Sequence, residues 1–393
     1  MTLSALKQIR DAVEQRPSTL VAEKNNGKIV VGWFGYFIPE EIVHALGMIP
    51  VRLGRGGDER LVELGARYIS SQNCAFIRAS MGMFAENSDP YIRAADVVAF
   101  DNACMQIYRL GEVSKYYFKK KTLFLGVPRN PQAESSQKYF RQEMEHFTQN
   151  LEKIAGKKID TLDLAESILL YQTIRNCTKK LFQSLLIPDS PLHWKEVIEV
   201  VHAGYYLDKK NYLSLLQELL SEIDSGSVKS ENKSPDVRVI LSGSAIAPGD
   251  EKLVDLIEQM NGTIVRDDLW TGLNPSLNMN IEHPSVSSIA DAYMNRIPHY
   301  TLPCIEKDND IRFEHLMSTV LETKANGVIY HTIRYCDSAT FKTTGLKNRL
   351  KNAGIPLLEI HTEYSGSDVE AIRTRVEAFF EILKAQNQTE VKV

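Results

Sequence analysis

Two hydrophobic patterns alternate along the first third of the chain. Residues 27–34 (GKIVVGWF), 48–54 (MIPVRLG), 95–100 (ADVVAF) and 121–128 (KTLFLGVP) are short, nearly continuous apolar runs. Such runs suit strands buried on both faces of a parallel sheet. Between them lie stretches with apolar positions at helical spacing, among them 39–47 (PEEIVHALG) and 105–118 (MQIYRLGEVSKYYF). Pro39 suits a first helical position, Glu40 and Glu41 complement the helix N-terminus, and Gly47 stops the helix. Strand and helix in turn predict a parallel sheet with helices on both faces.

The strand signal then disappears. Residues 137–159, 162–186 and 194–223 carry helical periodicity only, and the polar stretch 224–236 (DSGSVKSENKSPD) reads as a linker. Alternation resumes with strands at 237–244, 262–268, 326–336 and 355–364, and helices at 249–261, 341–354 and 368–386. The predicted architecture is α/β: two doubly wound parallel-sheet lobes with an intervening helical segment. The boundaries are 1–134 for the first lobe, 135–234 for the helical segment and linker, and 235–393 for the second lobe.

Composition narrows the class. Of 393 residues, 43% are hydrophobic and 24% charged, as in an ordinary globular protein. The net charge of −4 points to neither nucleic acid nor an anionic membrane. No apolar run is long enough to span a bilayer, and the N-terminus alternates charged with apolar residues without a signal-peptide core. The expected location is the cytoplasm, where the five widely spaced cysteines would be thiols or metal ligands.

Those cysteines carry the candidate chemistry. In open parallel sheets, ligands sit beyond the carboxyl ends of the strands. Cys104 follows the strand of 95–100 at a helix start, and Cys336 occupies the same kind of junction in the second lobe. Cys74 follows Ser71 and Asn73, either of which suits a cap for a helix beginning there. A helix N-terminus favours thiolate, the form that binds metal. The competing reading is that each cysteine packs as a small hydrophobe, and the spacing matches no compact metal motif. Cys177 sits within a helical run and reads as structural; Cys304 follows Pro303 and reads as a fourth ligand or, the favoured reading, a loop cysteine.

Weaker candidates surround these. The turn 240–249 (ILSGSAIAPG) suits a phosphate cradle, or simply a tight turn. His331 lies on the strand leading to Cys336, Tyr36 at a strand end of the first lobe, and Ser338 where a helix cap would fall. Arg78 and Arg109 follow their cysteines and would offset anionic charge or be solvated.

At residues 32–51 (GWFGYFIPEEIVHALGMIPV), 73–82 (NCAFIRASMG), 101–110 (DNACMQIYRL), 239–268, 328–337 (VIYHTIRYCD) and 354–383, the sequence resembles the 2-hydroxyacyl-CoA dehydratase and benzoyl-CoA reductase family, in order and over most of its length. The resemblance implies flavodoxin-like lobes. It implies one [4Fe–4S] cluster per chain held by Cys74, Cys104 and Cys336, with the fourth iron open or bound by a non-cysteine ligand. Tyr36, His331, Ser338 and water are the candidates there, with Tyr36 and His331 the candidate catalytic side chains. The implied reaction is loss of water from an (R)-2-hydroxyacyl-CoA through a ketyl radical, after one-electron activation by an ATP-dependent iron–sulfur activator. The alternatives are a subunit of an ATP-dependent benzoyl-CoA reductase, or a non-catalytic or electron-relay subunit. The implied partners are a related second subunit, in a heterodimer or a homodimer, and the activator ATPase. A fused double-cubane branch needs about six cysteine ligands, more than this chain holds.

Overall fold

The computed structural model describes residues 3–131, 133–187, 189–226, 237–296 and 306–390; Cys304 and most of the expected linker lie outside them. Two four-stranded parallel sheets organise the chain. The first contains β1 (Val30–Phe34), β2 (Ile49–Arg52), β3 (Val97–Asp101) and β4 (Thr122–Leu125), in the order β2-β1-β3-β4. The second contains β5 (Val237–Gly243), β6 (Gly262–Asp268), β7 (Gly327–Ile333) and β8 (Leu357–Thr362), in the order β6-β5-β7-β8. The order repeats: in each sheet the first strand pairs with both the second and the third. The inner strands β1, β3 and β7 are buried at every position, which is why their sequences read as unbroken apolar runs.

Between the sheets the chain is helical, through Glu134–Ala155, Thr161–Ser184, Trp194–Ala203 and Lys209–Asp224. Asp160 and Asp208 cap the second and fourth of these by accepting from backbone amides one turn in. Sequence periodicity runs the last two together; Gly204 and the Asp208 cap separate them. The N-terminal helix Ser4–Asn25, whose charge alternation masks its helical character, packs on Lys209–Asp224.

Several predicted helix starts shift. Pro39 is the N-cap of Glu40–Ala45 rather than its first residue. The helix expected at 341–354 begins at Asp337, so Cys336 is the cap and Ser338 lies inside the first turn. Cys74, not Ser71 or Asn73, caps Ala75–Glu86. In all three cases the strand or loop geometry delivers an extended residue directly at the first helical amides.

The lobes meet along a seam. The Gly56 amide donates to the Pro248 carbonyl at 2.9 Å. A β-carbon on Gly57 would lie 2.0 Å from the Gly249 carbonyl oxygen, and its φ is +72°, so only glycine fits this approach. Arg78 of the first lobe pairs with Glu363 of the second at 2.6 Å.

Candidate functional site

Three cysteines converge where the carboxyl ends of both sheets face one another. β3 ends at Asp101, and after a short turn Cys104 becomes the N-cap of Met105–Phe118. β7 ends at Ile333. Tyr335 then takes a left-handed φ of +66°, uncommon for a bulky residue. The turn lets the Cys336 amide donate to the Ile333 carbonyl at 2.9 Å and places Cys336 as N-cap of Asp337–Asn352. Cys74 arrives differently, as N-cap of Ala75–Glu86, a helix that lies against Glu59–Gly65 with close backbone contact.

Gln106 ties the three junctions together. Its Oε1 accepts from the Cys74 amide at 2.8 Å, and its Nε2 donates to the Tyr335 carbonyl at 2.6 Å. It sits two residues after Cys104, so one side chain contacts both of the other cysteine loops. The Ser244 hydroxyl accepts from the Ile333 amide at 3.1 Å and lies within hydrogen-bonding reach of the Cys336 sulfur. The glycine- and serine-bearing turn after β5 thus helps build the cysteine site.

The electrostatics set neutral thiols against a field that favours thiolates. Burial pushes the Cys74, Cys104 and Cys336 thiols up, Cys104 to about 12. Mutual repulsion adds to this: Cys336 and Cys104 raise Cys74, and Cys336 raises Cys104. Opposing it, the amides of Ile77, of Gln106 and Ile107, and of Ala339 face the three sulfurs from their own helices. Arg78 and Lys342 add positive charge near Cys74 and Cys336. Three thiols gathered in one place, Cys74 buried and Cys104 and Cys336 half-buried, ionise together most readily against a cation. Among the described residues, no three His, Cys, Asp or Glu side chains converge on a point for a single metal ion. Three cysteine sulfurs in one another's field are the kind of donor set that an iron–sulfur cubane would use, one thiolate to each of three irons.

Two groups beside the cysteines carried no sequence signal. Tyr364 is buried with its hydroxyl unpartnered, in the field of Asp250, Cys74 and Cys336. Asp250 is buried beside it across Gly56, and burial pushes its carboxyl up to about 7. Both lie at the seam.

The remaining sequence candidates are placed as follows. His331 is buried in the second sheet, with Nε2 2.6 Å from the Thr362 hydroxyl, and burial pushes it down to about 3. Tyr36 is held by Asp101, which accepts from the amides of Tyr36 and Phe37, and its ring stacks under Arg296 at 3.8 Å. It lines a cavity of about 130 Å³ bounded by the first lobe, the helical segment and residues 272–296 of the second lobe. Phe76, two residues after Cys74, meets Trp270 edge-on at 6.1 Å, and Trp270 covers Arg52 on that cavity's wall. Ser338 is half-buried two residues after Cys336, Arg109 is exposed, and Cys177 is buried within Thr161–Ser184.

Comparison with known proteins agrees with this architecture. The family model for the 2-hydroxyglutaryl-CoA dehydratase D-component matches residues 35–383. The chain is 25% identical over 389 residues to the (R)-phenyllactyl-CoA dehydratase beta subunit of Clostridium sporogenes, covering 95% of this chain and 97% of that one. It is 24% identical to a benzoyl-CoA reductase subunit of Thauera aromatica, covering 92% of each chain. It is also 24% identical to the beta subunit of the (R)-2-hydroxyglutaryl-CoA dehydratase of Acidaminococcus fermentans, covering 98% of this chain and all of that one. None of the helices among the described residues is long and apolar enough to cross a membrane. With two parallel α/β lobes meeting at three cysteines and a family match spanning nearly the whole chain, the protein belongs to the 2-hydroxyglutaryl-CoA dehydratase D-component family.

Proposed function

We propose that this chain is the iron–sulfur subunit of a 2-hydroxyacyl-CoA dehydratase, with Cys74, Cys104 and Cys336 holding one [4Fe–4S] cluster. The observation that carries the reading is the convergence of three helix-capping cysteines from two lobes, tied by Gln106. Such a cluster supplies one low-potential electron to an acyl thioester, which makes an otherwise inert β C–H acidic enough to lose its proton. The chain's own residues supply the setting. Helix amides favour thiolate at each sulfur, the Ser244 hydroxyl does so at Cys336, and Arg78 and Lys342 offset negative charge at Cys74 and Cys336. Tyr364, with a buried unpartnered hydroxyl in the field of two of the cysteines, is placed to hold a hydrogen bond toward a group bound there. The partners in this reading are a related second subunit, an ATP-dependent iron–sulfur activator as electron donor, and an acyl-CoA substrate.

The comparable match to a benzoyl-CoA reductase subunit supports a second reading, in which the same electron reduces an aromatic ring. One series of measurements separates the possibilities. Anaerobic purification should give about four irons per chain, lost in Cys74→Ala, Cys104→Ala and Cys336→Ala. An iron-free chain after anaerobic reconstitution would remove both readings. With iron present, assays of the assembled complex with activator, ATP and either a 2-hydroxyacyl-CoA or benzoyl-CoA decide between them.

A further inference from the structure

Asp250 and Tyr364 form a buried polar pair that the fold leaves unsatisfied beside the cysteines. They are 5% and 3% exposed, and among the described residues neither Asp250 Oδ2 nor the Tyr364 hydroxyl has a hydrogen-bond partner. Asp250 lies in the turn after β5, and Tyr364 follows β8. Those two strands flank β7, whose end leads to Cys336. Tyr364 shares one apolar core with Cys74, against which Cys104 and Cys336 pack. The first lobe meets the pair with bare backbone. The point that a Gly56 β-carbon would take is 2.6 Å from Asp250 Cβ and 3.0 Å from the Tyr364 hydroxyl oxygen. The two side chains therefore approach one spot, across a gap that a side-chain rotation or one water bridges.

Asp101, Asp267 and Asp268, also buried, are satisfied. Asp101 accepts from the amides of Tyr36, Phe37 and Ala103. Asp267 takes the Trp194 indole and two amides, and Asp268 takes the Ser242 hydroxyl. Asp250 has no such support, and it forms no ion pair among the described residues. Lys252, the cation that acts on it, is committed to Asp368 and to the carbonyls of Glu363 and Ser365. Asp368 and Glu251 add negative charge, while Arg55 and Asp58, which flank the first lobe's turn, are exposed and half-buried. Burial dominates and pushes the carboxyl up to about 7. An unpaired buried polar atom is costly, and two of them kept at one place beside a cysteine site call for a shared use.

We propose that Asp250 is a positioning residue that sets the direction of the Tyr364 hydroxyl, and that this hydroxyl donates toward the three-cysteine site only when Asp250 is protonated. The ionised carboxylate accepts from the phenol and turns its O–H away from the sulfurs. The protonated carboxyl donates to the phenol oxygen instead, which frees the Tyr364 O–H to point toward Cys74 and Cys336. The proton comes from solvent and stays on the carboxyl. The pair stands on its two unpartnered groups and the Gly56 contact; only its effect on a cluster rests on the dehydratase reading. Hydrogen bonds toward the sulfurs favour the reduced, more negative cluster, so in that reading the reduction potential rises as pH falls through about 7.

The pair is tested by infrared difference spectroscopy on the full-length chain, purified anaerobically, between about pH 6 and about pH 8. A protonated-carboxyl band should appear on acidification, vanish in Asp250→Asn and move in Tyr364→Phe, which takes away the phenol it bonds. The second measurement is the midpoint potential after iron reconstitution, followed by electron paramagnetic resonance. It should rise as pH falls over the same range. Tyr364→Phe should flatten that dependence and shift the reduction equilibrium about tenfold toward the oxidised form at the acid end. Asp250→Asn should also flatten it, and Glu145→Gln on the surface should change nothing. Circular dichroism on each variant certifies the fold, and Asp250→Ser takes the place of Asp250→Asn should that variant not fold. A band untouched by the Asp250 variant, a band indifferent to Tyr364→Phe, or a pH dependence of the potential that survives Tyr364→Phe would each overturn the assignment. Iron content, measured on the same samples, reports the cluster independently: an iron-free chain that still shows the coupled band supports the pair while removing the dehydratase reading.

Discussion

Gln106 donates from its Nε2 to the carbonyl oxygen of Tyr335, 229 residues away, at 2.6 Å. Its other amide atom accepts from Cys74, so a single side chain spans the first lobe's two cysteine loops and the second lobe's one. Gln106→Ala leaves a buried amide and a carbonyl unmatched. The expected cost is about 2 kcal/mol of unfolding free energy. Iron content after anaerobic reconstitution should also fall, with the far-ultraviolet circular dichroism unchanged. Full iron loading in a destabilised variant would make Gln106 a packing residue only.

The second tie between the lobes is ionic. Arg78 Nη2 lies 2.6 Å from Glu363, and Arg78 Nε donates to the Asn73 carbonyl next to Cys74. Both partners are mostly shielded from water. A double-mutant cycle with Arg78→Gln and Glu363→Gln should return a coupling of about 1 to 2 kcal/mol in urea unfolding. A coupling near zero would place the pair with ordinary surface bridges, which contribute little.

Cysteine identity divides by position. Cys177 lies within a helix, distant from any strand end, whereas Cys336 caps one. Cys177→Ala should lower stability by about 1 kcal/mol through lost packing and leave iron content intact. Cys336→Ala should abolish most of the iron binding. Equal iron loss in the two variants would contradict the proposed ligand set.

Acid sensitivity has a specific source in His202. Burial beside Arg52 holds the folded imidazole down at about 3. The unfolded chain takes up this proton near pH 6.5, so the native state binds fewer protons between those values and loses stability as pH falls through them. For His202 alone the loss reaches about 2 kcal/mol at pH 5. Asp250, raised to about 7, works in the opposite direction, gaining stability as pH falls from 7 toward 4. The clean measurement is therefore a difference: His202→Asn should close its stability gap to the wild type, or overtake it, on going from pH 7 to pH 5 in urea titrations. A constant gap would mean that His202 does not titrate on unfolding.

Gly82 offers a steric check on how Cys74 is positioned. A β-carbon there would lie 2.1 Å from the Leu61 carbonyl oxygen, and one on Gly65 1.8 Å from the Arg78 carbonyl oxygen. Gly82→Ala must push Ala75–Glu86 away from Glu59–Gly65, carrying Cys74 with it. The expected result is a loss of about 2 kcal/mol or more, together with lower iron content. Gly354→Ala makes no such contact and tests backbone strain alone.

The sheets were legible because parallel strands buried on both faces leave unbroken apolar runs, as in β1, β3 and β7. The positions of Cys104 and Cys336 at strand ends followed from the same reading, since both strands are strongly patterned. Cys74 was harder to place, because its loop follows no strand and its position depends on two glycines in helix contact. Gln106, Tyr364 and Asp250 carried no local signal: each acquires its role from partners in the other lobe. Tyr36 was placed at a strand end, but its orientation depends on Asp101 and Arg296, 65 and 260 residues away. The Ser4–Asn25 helix was obscured by alternating charge, and Pro17 lies inside it.

The repeated strand order makes the molecule resemble a book whose two leaves carry unequal shares of one clasp: Cys74 and Cys104 on one, Cys336 on the other. Whatever binds all three sulfurs must hold the leaves shut, and whatever opens the leaves must loosen its grip. Occupancy and closure are then two readings of one equilibrium, and by linkage each shifts the other by the same free energy. The seam that such binding would hold shut runs from Gly57 against Gly249 to Arg78 against Glu363.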